Sequence, residues 1–368
     1  MNEAIIKISI YNLCISYFCK KIFIIMKLVS YRHDGQNALG IYLNNKIYNV
    51  ADAAEKLGKK GSKSMKELLD GEERTMNEAR EIELMIQSGK VEVKSFEWSE
   101  LQLLSPVPEP TSCRDGYAFR QHVAAARLNR NVEMIPEFDA YPVFYFSNHN
   151  ALQGPGDIWC MPDHFRQLDF ELEAAVVIGK RGKNIRAAQA DQYIAGYTIM
   201  NDMSARLLQM QEMKLNLGPA KGKDFSTAIG PYLVTPDELA AQLTSAKEGH
   251  TGDRYNLTMK CSVNGIQVSE GNLAQMDWTF AEIIERCAYG TDIIPGDVIG
   301  SGTVGTGCFL ELNGTGKLND PEYPVQWLQE GDVVEMTIDG LGCLKNTIRK
   351  EDDKFSILDL KKKVKHAH

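Results

Sequence analysis

The sequence predicts an α+β fold that is mainly β. Three observations carry this reading. Beyond residue 110, runs rich in Val, Ile, Tyr and Phe recur at 142–147, 170–179, 193–200, 232–235, 255–263, 297–300, 308–312 and 332–338, each of strand length and strand composition. Helical spacing is clear there only at 204–213 and 276–287, so helices are inserted rather than alternating with strands, against a doubly wound βαβ repeat. Pro106, Pro108 and Pro110 fall within five positions, where helix interior and central strand are both disfavoured, and mark a boundary between a smaller and a larger unit.

The smaller unit, 26–105, opens with short strands at 27–31, 39–42 and 47–50, the last two separated by a turn at Asn44 and Asn45. Helical spacing with few β-branched residues follows at 51–60 and 65–87, and 91–93 returns to strand. The larger unit, 111–350, is read as the catalytic one, with 351–368 as a tail. Residues 1–25 are rich in Ile, Tyr, Phe and Cys but broken by Lys7, Asn12, Lys20 and Lys21. That fits neither a spanning helix nor a clean secretory signal, so they are read as an upstream extension, with the working protein beginning at Met26.

The chain of 368 residues exceeds the ~250–300 at which single cores stop growing. Its 43% hydrophobic and 24% charged residues are ordinary for a globular protein. The net charge of −8 argues against a nucleic-acid partner, since phosphate binding needs Lys and Arg; the one basic cluster, 361–365, reads as a solvated tail. Eight scattered cysteines without a C-x-x-C pair indicate reduced thiols in a cytoplasm, and no membrane span is indicated.

Several residues stand out chemically. Glu171 and Glu173 project from one face of a strand beside an apolar run, costly for two like charges without a cation; the bland alternative is a solvent-facing edge. Asp202 sits where a strand hands over to a helix, with Arg206 and Gln209 one turn apart beyond it; it serves equally as a helix cap or as a ligand. Asp115 and Tyr117 follow the proline boundary, ahead of a helix carrying His122, which by itself reads as a surface histidine. Glu311, the one acid in an apolar run taken as a strand, is the candidate to orient that imidazole. Gly300, Gly302 and Gly305 spell G-x-G-x-x-G, but a strand expected over 306–312 in place of a helix excludes a dinucleotide fold. Gly222 and Lys223 fail as a phosphate loop because Asp224 replaces the needed hydroxyl. These loops offer instead the Thr303 hydroxyl and the Lys223 ammonium.

In this order, Asp115, Tyr117, His122, Glu171, Glu173, Asp202, Arg206, Lys223, Thr303 and Glu311 resemble the fumarylacetoacetate hydrolase family, over residues 106–348. The resemblance implies that family's mixed β-sheet roll behind a small β-rich N-terminal domain. It implies a divalent ion on Asp115, Glu171, Glu173 and Asp202: Mg²⁺ or Ca²⁺, with Mn²⁺ as a third candidate. It also implies a catalytic His122–Glu311 pair, Lys223 and Thr227 beside the metal, and substrate contacts from Tyr117, Tyr145, Gln209 and Thr303. Arg127 or Arg130 would bind the substrate carboxylate, and Met213 stands where fumarylacetoacetate hydrolase itself has a second substrate-binding tyrosine. The implied activity is hydrolysis of a carbon–carbon bond in fumarylacetoacetate or a related 1,3-diketo acid of the acylpyruvate type, as in tyrosine breakdown, by a homodimer; the runner-up is a 2-keto acid decarboxylase, isomerase or lyase on the same scaffold, and behind it a non-catalytic metal-binding protein. The stretch 128–141 reads as a lid over the site.

Overall fold

The structure is a computed structural model that describes residues 26–360 and Lys362. The extension expected at 1–25 and most of the basic cluster at 361–365 lie outside the described residues.

Strands β1 (Lys27–His33), β2 (Gln36–Leu43) and β3 (Lys46–Asn49) form an antiparallel meander, turned at Asn44 and Asn45, both of which have positive φ. Helices α1 (Val50–Lys56), α2 (Met65–Asp70) and α3 (Glu72–Gln87) follow. Asn49 and Ser64 cap the first two by accepting from Asp52 N and Glu67 N, the usual work of a polar N-cap. The single helix expected over 65–87 is broken: Glu72 has φ +49°, and the Thr75 hydroxyl takes the Leu68 carbonyl at the break.

The larger region contributes β4 (Ser112–Gly116), α4 (Arg120–Leu128), β5 (Phe144–Ser147), β6 (Gly156–Cys160), β7 (Leu172–Ile178), β8 (Ile194–Asp202), α5 (Arg206–Met213) and β9 (Thr227–Val234). It continues with β10 (Thr258–Val263), β11 (Ile266–Asn272), α6 (Phe280–Ala288), β12 (Asp297–Gly300), α7 (Phe309–Asn319), β13 (Val333–Ile338) and β14 (Gly342–Lys350). A 12-stranded mixed sheet runs β3-β2-β1-β9-β8-β7-β12-β4-β5 with three two-residue strands added, and a five-stranded sheet runs β11-β10-β13-β14-β6. The first sheet crosses the proline boundary: Lys27 pairs with Val234 and Leu28 with Leu233.

Every residue of β7 is buried, as expected of a strand covered on both faces. Leu172, Ala174, Val176 and Ile178 join the core shared with Met259, Met336 and Leu344 of the second sheet. Ala175 and Val177 join the other core, with Ala53, Leu68, Met76 and Ile82 of the N-terminal helices. At about 1.5–3 kcal/mol per fully buried Val or Ile side chain, this central position fixes the strand that carries Glu173.

Two expected strands are overturned: 91–93 is not a strand, the nearest being the two-residue Ser95–Phe96. Residues 308–312 are not a strand; helix α7 begins at Phe309. The cause is distant in the chain: both carboxylate oxygens of Asp169 accept from the first helical amides, Phe309 N at 2.8 Å and Leu310 N at 2.9 Å. A strand, G-x-G-x-x-G and a helix therefore do follow in order. The donors a pyrophosphate would need are already engaged, with Gly302 N donating to Asp115 and the helix start to Asp169.

Candidate active site

The 12-stranded sheet gathers four acids at one end of adjacent strands. Asp115 lies on β4 opposite Gly300 of β12 and Tyr145 of β5; Glu173 is on β7; Asp202 ends β8 opposite Thr227. Glu171 stands just before β7. Oxygens of Asp115, Glu171, Glu173 and Asp202 all lie within 4.8 Å of one another, and all four residues are buried. Gly300 is required by this crowding: a Cβ there would sit 2.4 Å from Asp115 Oδ1 and 3.0 Å from Glu173 Oε2.

The fixed positive charge is unevenly shared. Lys223 Nζ donates to Glu171 Oε2 at 2.5 Å and Asp202 Oδ2 at 2.6 Å, and Arg206 donates to Glu171 Oε1 at 2.7 Å. Burial pushes the Glu171 carboxyl up, but Lys223 and Arg206 outweigh it and hold the group below the usual carboxylate range. Asp115 and Glu173 lack such a partner. Burial, then Asp202, push Asp115 up; burial, then Asp115, push Glu173 up, and Glu173 Oε2 has no hydrogen-bond partner. An orphaned, buried carboxylate oxygen in an all-oxygen cluster fits a hard divalent ion, which would let both acids ionise. A second group, His122, Glu171 and Cys308, also lies within 4.8 Å, but burial pushes the Cys308 thiol well above its ordinary range, against the thiolate a metal needs, and His122 Nδ1 is taken by Glu311.

His122 sits in the first turn of α4, at 7% exposure rather than on the surface, and its Nδ1 lies 2.6 Å from Glu311 Oε2 in the first turn of α7. The other Glu311 oxygen accepts from Thr306 N at 2.9 Å. A carboxylate on Nδ1 leaves Nε2 to accept a proton. Asp202 is not a helix cap: it ends β8, and α5 starts four residues later without a side-chain cap.

Residues 111–349 match the model of the fumarylacetoacetate hydrolase C-terminal family. The chain belongs to the fumarylacetoacetate hydrolase family. An uncharacterised protein of Staphylococcus saprophyticus is 31% identical over 88% of this chain and 99% of its own length. Human mitochondrial oxaloacetate tautomerase is 32% identical over 68% of this chain and 70% of its own. Among solved structures, a maleylpyruvate hydrolase from Sphingobium superposes with TM-score 0.62 at 17% identity, covering 89% of this chain and all of that one, which shows the shared fold. This is an enzyme family, and its members include tautomerases and isomerases as well as hydrolases.

On that scaffold the remaining family positions are distributed as follows. Tyr145 OH donates to Asp202 Oδ2 at 2.6 Å, and burial, then Asp202, push its phenol well above the ordinary range. Thr227 Oγ1 is 3.5 Å from Asp202 Oδ1, and Thr303 Oγ1 is 3.4 Å from Glu173 Oε1. All three thus face the carboxylates. The Tyr117 ring lies edge-on to His122, with centroids 6.1 Å apart. Gln209 accepts from Arg206 at 3.0 Å. Arg127 donates to the Glu133 carbonyl and Arg130 to the Ala126 carbonyl; Tyr117 lies in the field of both guanidiniums. In 128–141, Phe138 packs edge-on to Tyr117, and its carbonyl accepts from Trp278.

Asp169 escaped sequence reasoning as part of this site, and Arg206 entered it only as part of the resemblance, without a role. Asp169 is fully buried, accepts from Arg206 Nε at 2.8 Å and caps α7, so one carboxylate joins the Glu311 helix to the arginine on Glu171. The available signal was an extra acid beside Phe170 in a run without a basic residue. Among the described residues no helix is long and apolar enough to cross a membrane, and five of the six cysteines are buried, with Cys343 exposed.

Proposed function

We propose that this protein is a metal-dependent enzyme acting on an oxo acid with a second carbonyl two carbons from the first, by chemistry that passes through an enolate. The observation that carries the reading is the buried His122–Glu311 pair beside the four-carboxylate cluster. Asp115, Glu171, Glu173 and Asp202 would hold the divalent ion, Mg²⁺ or Ca²⁺ by their all-oxygen chemistry. When bound, the ion supplies Lewis-acid stabilisation of negative charge on the substrate's oxygens.

The first reading is hydrolysis of a 1,3-diketo acid, either an acylpyruvate or the related fumarylacetoacetate, which would belong to tyrosine breakdown. His122 Nε2 accepts a proton from water, held in the right tautomer by Glu311, and the hydroxide adds to the distal carbonyl. The carbon–carbon bond breaks, its electron pair becomes the enolate of the departing oxo acid, and protonation at carbon completes the reaction. Lys223 brings positive charge to the side where the enolate oxygen develops. Tyr117, Gln209 and one of Arg127 and Arg130 would orient the substrate and its far carboxylate.

A second reading, keto–enol tautomerisation of a 2-oxo dicarboxylate, is supported by the tautomerase relatives at 32–33% identity. There His122 takes a proton from the carbon between the two carbonyls and the enolate oxygen gains one from solvent, so that the two shifts balance with no water added to the substrate. Incubation in D₂O with Mg²⁺ and either acetylpyruvate or oxaloacetate, followed by NMR, separates them. Two acid products mean hydrolysis; enzyme-accelerated keto–enol interconversion of intact substrate means tautomerisation. The absence of both reactions on a panel of such acids would end the proposal. His122→Ala should lower whichever rate is found by about 10²–10⁴-fold. A homodimer is the expected assembly, to be tested by the light-scattering mass.

A further inference from the structure

We propose that Thr306, outside the set of residues assigned above, is a positioning residue that fixes the His122–Glu311 pair through a strained backbone. Thr306 has φ +67°, in the left-handed region that β-branched residues seldom enter. Glycine is the default there, and glycine stands on either side at Gly305 and Gly307. The conformation aims the Thr306 amide at Glu311 Oε1, 2.9 Å away. With one carboxylate oxygen held by that amide and the other by His122 Nδ1, Glu311 cannot rotate away, and the imidazole keeps the tautomer that leaves Nε2 free to accept.

The strain is maintained from outside the loop. The Thr306 hydroxyl lies 3.3 Å from Ser269 Oγ and donates to the Glu270 carbonyl at 3.4 Å, both on β11 of the five-stranded sheet. The Gly307 carbonyl accepts from Leu172 N at 2.9 Å, at the first residue of β7. The dyad is thus braced between the two sheets. A residue kept in an unfavourable conformation beside reacting groups, by contacts that over-determine it, is the pattern of strain retained for function.

The inference rests on His122 acting as a base, so its test includes a readout independent of turnover. Thr306→Gly keeps the amide, relieves the backbone and frees the loop; Thr306→Asn also keeps the amide and tolerates left-handed φ. In metal-loaded enzyme, Thr306→Gly should melt no more than a few degrees from the parent. Its kcat should fall about tenfold with KM nearly unchanged, and the acid limb of its pH–rate profile should move. By NMR, the proton shared between His122 and Glu311 should broaden and the imidazole titration should shift. Thr306→Asn should restore both. A Thr306→Gly enzyme with the parent's kcat, pH profile and imidazole signal would overturn the proposal, as would a folded Thr306→Asn enzyme as impaired as the glycine variant. If no oxo acid is turned over, the NMR comparison still decides whether Thr306 positions the pair, while the functional reading falls separately.

Discussion

Strands β4 and β12 carry buried acid at both ends, and the two ends are built differently. At the start of β12, Asp297 accepts from Thr111 at 2.7 Å, Ser112 at 2.6 Å, and Arg114 and the Ile294 amide at 3.1 Å. At the other end, beside Gly300, Asp115 and Glu173 crowd together and Glu173 Oε2 has no partner. The first arrangement satisfies a charge within the protein; the second leaves a buried carboxylate oxygen with no hydrogen-bond partner in the protein. Buried acid is therefore not informative by itself. What sets the second end apart is that four buried acids converge there and one of them is left incomplete.

The contrast can be broken at either end. The largest effect is expected for Glu173→Gln, which removes a proposed ion ligand: turnover should fall by more than the ~100-fold upper end seen for residues that only support a ligand, while the metal-free protein melts no lower than the parent. Steady-state kinetics and calorimetry of the same preparation check this, and a metal-free variant much less stable than the parent would mean that Glu173 is structural. Asp297→Ala should do the reverse. It strands Arg114 and costs about 3–5 kcal/mol by urea unfolding, with activity per folded molecule retained.

Smaller in scale is the ion itself. Mg²⁺ at 100 times its Kd should stabilise the parent by about 2.7 kcal/mol, reversed by chelator. The same shift should appear in Asp297→Ala and vanish in Glu173→Gln. The smallest effect concerns a third buried acid, Glu83 on α3, whose Oε2 is unpartnered and whose carboxyl is pushed up to about 8 by burial, then by Glu238 and Asp237, against Arg80. Because the folded state holds this proton more tightly than an unfolded chain near 4.5, its contribution is present below about pH 4.5 and is lost as pH rises to about 8. Glu83→Gln should match the parent near pH 4.5 and exceed it by about 1 kcal/mol or more above pH 8, measured by unfolding across that range.

Much of this site was legible in the chain because acids beside apolar runs are conspicuous: Asp115, Glu171, Glu173 and Asp202 each stood out before any contact was known. Their convergence was not legible, since it depends on which strands become neighbours, and β7 pairs with β12 more than 100 residues along. Glu311 stood out as a residue but was assigned to a strand. A five-residue apolar run fits either element, and the deciding group, Asp169, lies 140 residues away. Strands β6, β11 and β14 went unread because their exposed residues dilute the apolar pattern. Thr306 gave no signal at all, because a backbone angle is not written in residue type.

The pairing of β1 with β9 has a practical consequence for anyone trimming this protein. A fragment starting at the proline run would keep the family-matched residues yet strip a neighbour from the interior of the sheet, leaving the amides and carbonyls around Leu233 and Val234 open. Such a bare edge invites other chains to add themselves, so the shortened enzyme should be found in aggregates rather than as a smaller catalyst.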